Sequence, residues 1–267
     1  MKTVLTTMLG VLGMSFISVA QVQNEIPIPD TLSGTDITLD MHTGTVSFFE
    51  GAVSNTFGIN QYNYLGPTLV LHRGQHVNIT VNNNLGDTTN LHWHGLQVPA
   101  VADGPMTMIM DGDSWNPDFD VINRAATFWY HPHAHKNTAL HALKGAAGLI
   151  IVRDNEEAAL ALPRNYGVDD FPIIVQSIQY DLLNQVMPRG MQDSTIFVNG
   201  VRANYGYEAM LNAPAQVVRM RLLNASGERT FNFGFSNNHA FSIIGSDGGL
   251  LHAPVNATRI RVSPGGR

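Results

Sequence analysis

Apolar and polar residues alternate along most of this chain with the two-residue period of half-buried strands. "DITLDMHTGTVSFFEG", 36–51, predicts two strands joined near His42, Thr43 and Gly44. "PTLVLHRGQHVNITVNNNLGD", 67–87, predicts two more, broken at Arg73–Gly74 and closed by an Asn/Gly/Asp turn. "TNLHWHGLQVP" and "AATFWYHPH" continue the pattern, and the unbroken apolar run in "GAAGLIIVRD" predicts a strand buried on both faces. Helical periodicity surfaces once, in "NEEAALALPRN", 155–165, as a short helix stopped near Pro163. Beyond it the strand pattern resumes in "DDFPIIVQSIQYD", "STIFVNG", "QVVRMRLLNAS", "RTFNFGFSNNHAFSIIGSDGG" and "TRIRVSP".

Many short strands separated by turn signals predict an all-β chain of antiparallel sandwiches or barrels. The expected organisation is a first unit over 21–155, a linker over 156–170 and a second unit over 171–267. "RIRVSPGGR", 259–267, reads as a strand entering a turn where the second unit stops, so the chain is expected to be a piece of a longer protein. An unpaired edge there favours self-association.

Composition narrows the function classes. Of 267 residues, 44% are hydrophobic and 13% charged, which is globular rather than disordered composition. The net charge is −6 and no basic run occurs, so nucleic acid and anionic membrane are excluded as general partners. Residues 1–20 read as a signal peptide. Lys2 precedes an apolar stretch, and Ser18–Val19–Ala20 fits small-residue cleavage before Gln21. The stretch is too short and interrupted for a membrane span, and no paired arginine precedes it. Export by general secretion to a periplasmic or extracellular location is expected, with no membrane attachment after the signal is removed. Cysteine is absent from the sequence.

Candidate chemistry concentrates in histidine. "LHWHGL", 91–96, and "WYHPHAHKNTALH", 129–141, hold six of the eleven histidines. In a strand, His-x-His sets both imidazoles on one face, roughly 7 Å apart. His92 and His94 then share a face while Trp93 points into packing, and His131 and His133 repeat the arrangement about Pro132. Proline donates nothing to a ladder and so marks a strand end or edge open to a metal. Two such pairs on neighbouring strands converge four nitrogens, with copper, zinc, iron and nickel all compatible with imidazole. His135 and His141 are expected outside the ligand set. His42, His72, His76, His239 and His252 are isolated and expected to be structural. Met106, Met108 and Met110 in "PMTMIMDGD" offer thioethers, but alternating methionines in a strand are expected in the core.

These stretches resemble the multicopper oxidases, in particular bacterial copper-efflux oxidases and bilirubin oxidase-like members. "YLGPTLVLHRGQHV", "LHWHGLQVPAVADGP", "AATFWYHPHAHKNT", "KGAAGLIIVRD", "GVDDFPIIVQ", "VRMRLLNAS" and "IIGSDGGLL" stand in the family's order, over nearly everything after residue 20. The resemblance implies cupredoxin-like Greek-key domains, the first complete and the second incomplete. It implies copper: His92 as a type 2 ligand, and His94, His131 and His133 as type 3 ligands of a trinuclear centre. The other four histidines, and the cysteine of a type 1 copper, would come from a missing C-terminal cupredoxin domain. The intact protein would take electrons from a reducing substrate such as Cu(I) or a phenol and reduce dioxygen to water, while this chain alone would be inactive. Asp103, in "VADGP", matches a family acid that relays protons; a plain turn carboxylate before Gly104–Pro105 is the competing role. Two other functions compete with the oxidase: a catalytically inactive copper-binding or scaffold protein of the same fold, and a mononuclear cupin. The cupin reading lacks its nearby glutamate, since the first glutamate after His94 is Glu156.

Overall fold

The structure, a computed structural model, describes residues 22–187, 195–214 and 217–267. The signal read at 1–20 lies outside the described residues. Among the described residues nearly all regular structure is strand, with the short helices Thr138–Leu143 and Asn155–Ala158 and a 3-10 turn at Ala100–Ala102 besides.

Two sheets face each other in the first half. One runs Thr31–Leu32, Thr68–His72, Gly148–Arg153, Ala126–His131 and His92–His94 in spatial order. The other runs Ala52–Ile59, Asp36–Phe49, His76–Asn84 and Ser114–Trp115, with Asp118–Asp120 also paired to His76–Asn84. Leu39, Met41 and Ile59 from the second sheet meet Leu69, Trp93, Phe128, Tyr130 and Ile150 from the first in one buried core. Each large apolar side chain enclosed there contributes about 1.5–3 kcal/mol. Phe128 sits at its centre, and Phe128→Ala costs about 3–5 kcal/mol by the cavity it leaves.

The continuous apolar run at 148–152 is covered twice. Ile150 and Val152 face the first-half core, while Leu149 and Ile151 pack with Trp129 against Ile174, Leu223 and Ala225 of the second half. There, Asp170–Tyr180 is flanked by Val186–Met187, Thr195–Val198 and, in parallel, Arg219–Asn224. Val198 and Val201 close a two-residue hairpin through Asn199 and Gly200, both at positive φ, as that turn requires. Phe231–Phe233 pairs with Ile260–Val262, and Phe241–Ser246 with Gly249–Ala257.

Four expectations change. Residues 36–49 form one unbroken strand with no turn at 42–44. Gly44 is there for clearance: a Cβ would meet the Asn63 carbonyl oxygen at 2.8 Å. The sheets are mixed rather than antiparallel, because connections that cross between layers return strands in parallel, as at Asp36–Phe49 with His76–Asn84. The helix read over 155–165 ends at Ala158, five residues before Pro163. And Met106, Met108 and Met110 are exposed. Ile109 bridges Thr89 and turns inward, which sends residues 108 and 110 the other way.

Candidate metal centre

His92–His94 is an edge strand paired antiparallel to Ala126–His131. His92 stands opposite His131, Trp93 opposite Tyr130 and His94 opposite Trp129. The period of two then divides the residues cleanly. Trp93 and Tyr130 enter the core, and His92, His94, Trp129 and His131 share the opposite face. Pro132 follows the last strand residue and, having no N–H to donate, ends the ladder there.

One nitrogen each from His92, His94 and His131 lies within 4.8 Å of the others. Their tautomers follow from their partners. Nδ1 of His131 contacts the Pro132 carbonyl oxygen at 2.8 Å, and Nδ1 of His92 contacts that of Asp103 at 3.2 Å. A carbonyl only accepts, so both Nδ1 atoms carry the proton and both Nε2 atoms present lone pairs. His94 Nδ1 meets His131 Nε2 at 3.2 Å, so one proton, or one metal ion, satisfies that convergence. Burial pushes the His131 pKa down to about 3; burial and the neighbouring Arg267 guanidinium push His94 down to about 4. Both rings are therefore neutral near pH 7, the state in which imidazole binds a metal.

His133 adjoins this group without entering it. Its ring centroid lies 5.6 Å from that of His92 and 6.2 Å from that of His131, and its side is exposed. Asn90, which nothing in the sequence pattern singled out, fixes its backbone. The buried Asn90 accepts from the His133 N–H at 2.6 Å and donates to the Pro105 carbonyl at 3.2 Å. Asp103 lies at the other side of His92. Its Oδ1 is 3.0 Å from His92 Nδ1, yet it accepts no hydrogen bond, because the ring N–H serves the Asp103 backbone oxygen. Gly104, at φ +93°, lets the loop pass; a Cβ there would overlap the Leu91 carbonyl.

Two further residues back the cluster and were invisible in the sequence. Trp129 stacks on His131 with centroids 3.9 Å apart, its buried Nε1 without a partner. Arg267 donates to the carbonyls of Thr127, Gly265 and Asp247 and lies over the Phe128 ring beside His94. The remaining histidines stand apart. His135 is exposed, and His141 is buried between Thr89 and Asp87. His42 holds the carbonyls of Thr43 and Asn60, and His76 contacts Asp118 and Asp120.

Comparisons with known proteins agree in kind. Residues 40–157 and 174–267 match two family models, each described as multicopper oxidase. The multicopper oxidase mco of Staphylococcus aureus is 36% identical over 261 residues, covering 93% of this chain and 57% of that protein. The cell division protein FtsP of Escherichia coli (strain K12) is 32% identical over 259 residues, covering 94% and 54%. Among solved structures, a laccase from Pediococcus acidilactici Pa5930 aligns with a TM-score of 0.84 at 31% identity, covering 92% of this chain and 55% of its own. A laccase-like multi-copper oxidase CueO from Ochrobactrum sp. aligns at 0.80 with 34% identity, covering 91% and 56%. The chain thus spans about half the length of these relatives, and its fold is the cupredoxin-like all-β fold they share.

Proposed function

The chain belongs to the multicopper oxidase family, and from that premise we propose that it supplies the first half of an exported oxidase's trinuclear copper site. The carrying observation is the convergence of ring nitrogens from His92, His94 and His131 within 4.8 Å on paired strands. The donor set fits copper: imidazole nitrogens gathered within 4.8 Å, with His94 and His131 neutral near pH 7, and a carboxylate oxygen beside His92. His92 would hold a type 2 copper, and His94, His131 and His133 the type 3 pair, completed by histidines from elsewhere in the full-length protein. Copper held there would supply one-electron redox chemistry between a small reducing substrate, such as Cu(I) or a phenol, and dioxygen. The chain's own residues do the rest. Trp129 and the strand pairing hold the rings, and the Pro132 and Asp103 carbonyls fix the tautomers. Asp103 Oδ1, 3.0 Å from His92 Nδ1, accepts and returns a proton at the cluster's edge. A type 1 copper needs a thiolate that these residues do not contain.

The test is dioxygen uptake by the copper-loaded, full-length protein with Cu(I) or a phenol as reductant. Wild type consumes dioxygen; Asp103→Asn keeps its copper content but slows turnover by about 10²-fold or more, since an amide shuttles no proton. Equal turnover at matched copper removes the relay role. A second reading, a scaffold protein without oxidase activity, is favoured by the similarity to FtsP. Full copper loading with no dioxygen uptake under any reductant would select it.

A further inference from the structure

The loop that leaves Asp103 carries a second donor set, of different chemistry. Met106, Met108 and Met110 are 93%, 55% and 56% exposed, and large apolar side chains rarely stand out of a surface in such a row. The backbone beneath them is fixed at several points. Pro105 O accepts from Asn90, Thr107 N donates to Gly104 O, and Ile109 exchanges two backbone hydrogen bonds with Thr89 at 2.8 and 3.0 Å. Asn83 Nδ2 also donates to Ile109 O, and Ile109 itself is buried. With Ile109 turned inward, residues 108 and 110 project outward together, and Met106 precedes them on the turn. Every outward apolar position of this segment is a thioether; none is leucine, isoleucine or phenylalanine.

We propose that Met106, Met108 and Met110 form a surface site for a soft monovalent cation, Cu(I) in particular. Thioether sulfur is a soft ligand that selects Cu(I) over harder divalent ions. Neighbouring outward residues in an extended segment are about 7 Å apart, within the joint reach of two flexible methionine side chains. Met110 Sδ already has a polar contact, accepting from Thr88 Oγ1 at 3.6 Å, which orients that sulfur without consuming its second lone pair. Asp103 precedes the segment and Asp111 and Asp113 follow it, so the local field attracts a cation. The segment follows Asp103, which itself contacts His92. The site is chemically independent of the histidines, and its failure would leave the trinuclear reading untouched.

The probe is Ag(I), a redox-inert soft cation, titrated into the full chain labelled with [methyl-13C]methionine. The methyl resonances of Met106, Met108 and Met110, assigned by single Met→Leu variants, should move together and saturate near one equivalent, while that of buried Met41 stays fixed. A triple Met→Leu variant should lower Ag(I) and Cu(I) affinity, read by chelator competition, by about tenfold or more. Its Cu(II) uptake by the histidines should be unchanged. The proposal is overturned if the three resonances are still at saturating Ag(I). It is equally overturned if Ag(I) uptake survives the triple variant and disappears instead with His92→Ala.

Discussion

The strand Ala126–His131 touches two polar clusters, one near each end, and they are satisfied in opposite ways. Near its start, Thr127 Oγ1 accepts from Arg221, which also grips Asp170 through two bonds of 2.8 Å. Arg153 joins Asp170 at 2.9 Å and Glu157 at 2.9 Å, and Arg219 reaches Glu157 at 2.7 Å. Every carboxylate there is buried and paired, and the pairs tie the first half, through Arg153 and Thr127, to the second. At the strand's other end, His131 joins a group whose ring nitrogens lie within 4.8 Å of one another, near Asp103 Oδ1 and Trp129 Nε1, neither of which has a hydrogen-bond partner. Each buried polar atom left unmet costs free energy, so this end is less completely satisfied than the clamp. The paired cluster is explained by assembly of the two halves. The other gathers the ring nitrogens proposed above to hold copper.

The largest effect expected from breaking this contrast is at Asp170. Asp170→Ala leaves the buried guanidiniums of Arg221 and Arg153 short of a counter-charge and should lower unfolding stability by about 3–5 kcal/mol. Urea denaturation of the metal-free chain measures it, as a lower midpoint at unchanged slope. A loss under about 1 kcal/mol would mean that the clamp is not what holds the halves together.

Asn90 belongs to the histidine end but is fully satisfied, so it should behave like the clamp on a smaller scale. Asn90→Ala orphans the His133 N–H and the Pro105 carbonyl and should cost about 1–3 kcal/mol. Copper affinity should fall with it, because His133 loses its backbone anchor. Isothermal titration with Cu(II), alongside urea melts, reads both; unchanged affinity would show that His133 needs no such anchor.

His131 should behave in the opposite manner. His131→Phe fills a similar volume in the stack on Trp129 and removes a buried polar ring, so metal-free stability should change by less than about 1.5 kcal/mol. Copper affinity should drop by about tenfold or more. If stability falls as far as in Asp170→Ala, the cluster is structural and the distinction between the two ends collapses.

How much of this was legible in the sequence follows from the range of the interactions. Period-two alternation located the strands, and His-x-His on that period placed His92 and His94 on one face, because both are local properties of a strand. The opposition of His92 to His131 depends on the antiparallel register of the two strands, which the local pattern does not fix. What stayed hidden is non-local. Gly44 resembled a turn until Asn63 was seen pressing on it, and Glu157 resembled linker charge until Arg219, 62 residues away, was found on it. The three methionines misled because alternation says which residues share a face, not which face is buried. Asn90 and Arg267 carry no motif at all; only the fold brings them to the histidines.

The smallest expected effect concerns His141, a histidine that belongs to neither cluster and tests whether burial alone separates structural from metal-binding imidazole. Its ring is buried, with Nδ1 3.0 Å from Thr89 Oγ1, Nε2 3.2 Å from Asp87 Oδ2 and the Phe57 ring edge-on at 5.2 Å. Burial lowers its pKa; Asp87 pulls the other way, and the Lys144 ammonium nearby adds to the lowering. The unfolded chain therefore takes up this proton at a higher pH than the folded one. Stability from the neutral ring is complete above the ordinary histidine pKa of about 6.5 and declines as pH falls toward the lowered folded value. His141→Gln retains hydrogen-bonding capacity and removes the titration, so its stability should fall less than wild type between about pH 8 and about pH 5. The other titrating groups are common to both proteins and cancel in the difference. Urea midpoints across that range, with chelator present, measure it. Parallel slopes would show that Asp87 offsets the burial, and that an imidazole here folds equally well charged or neutral.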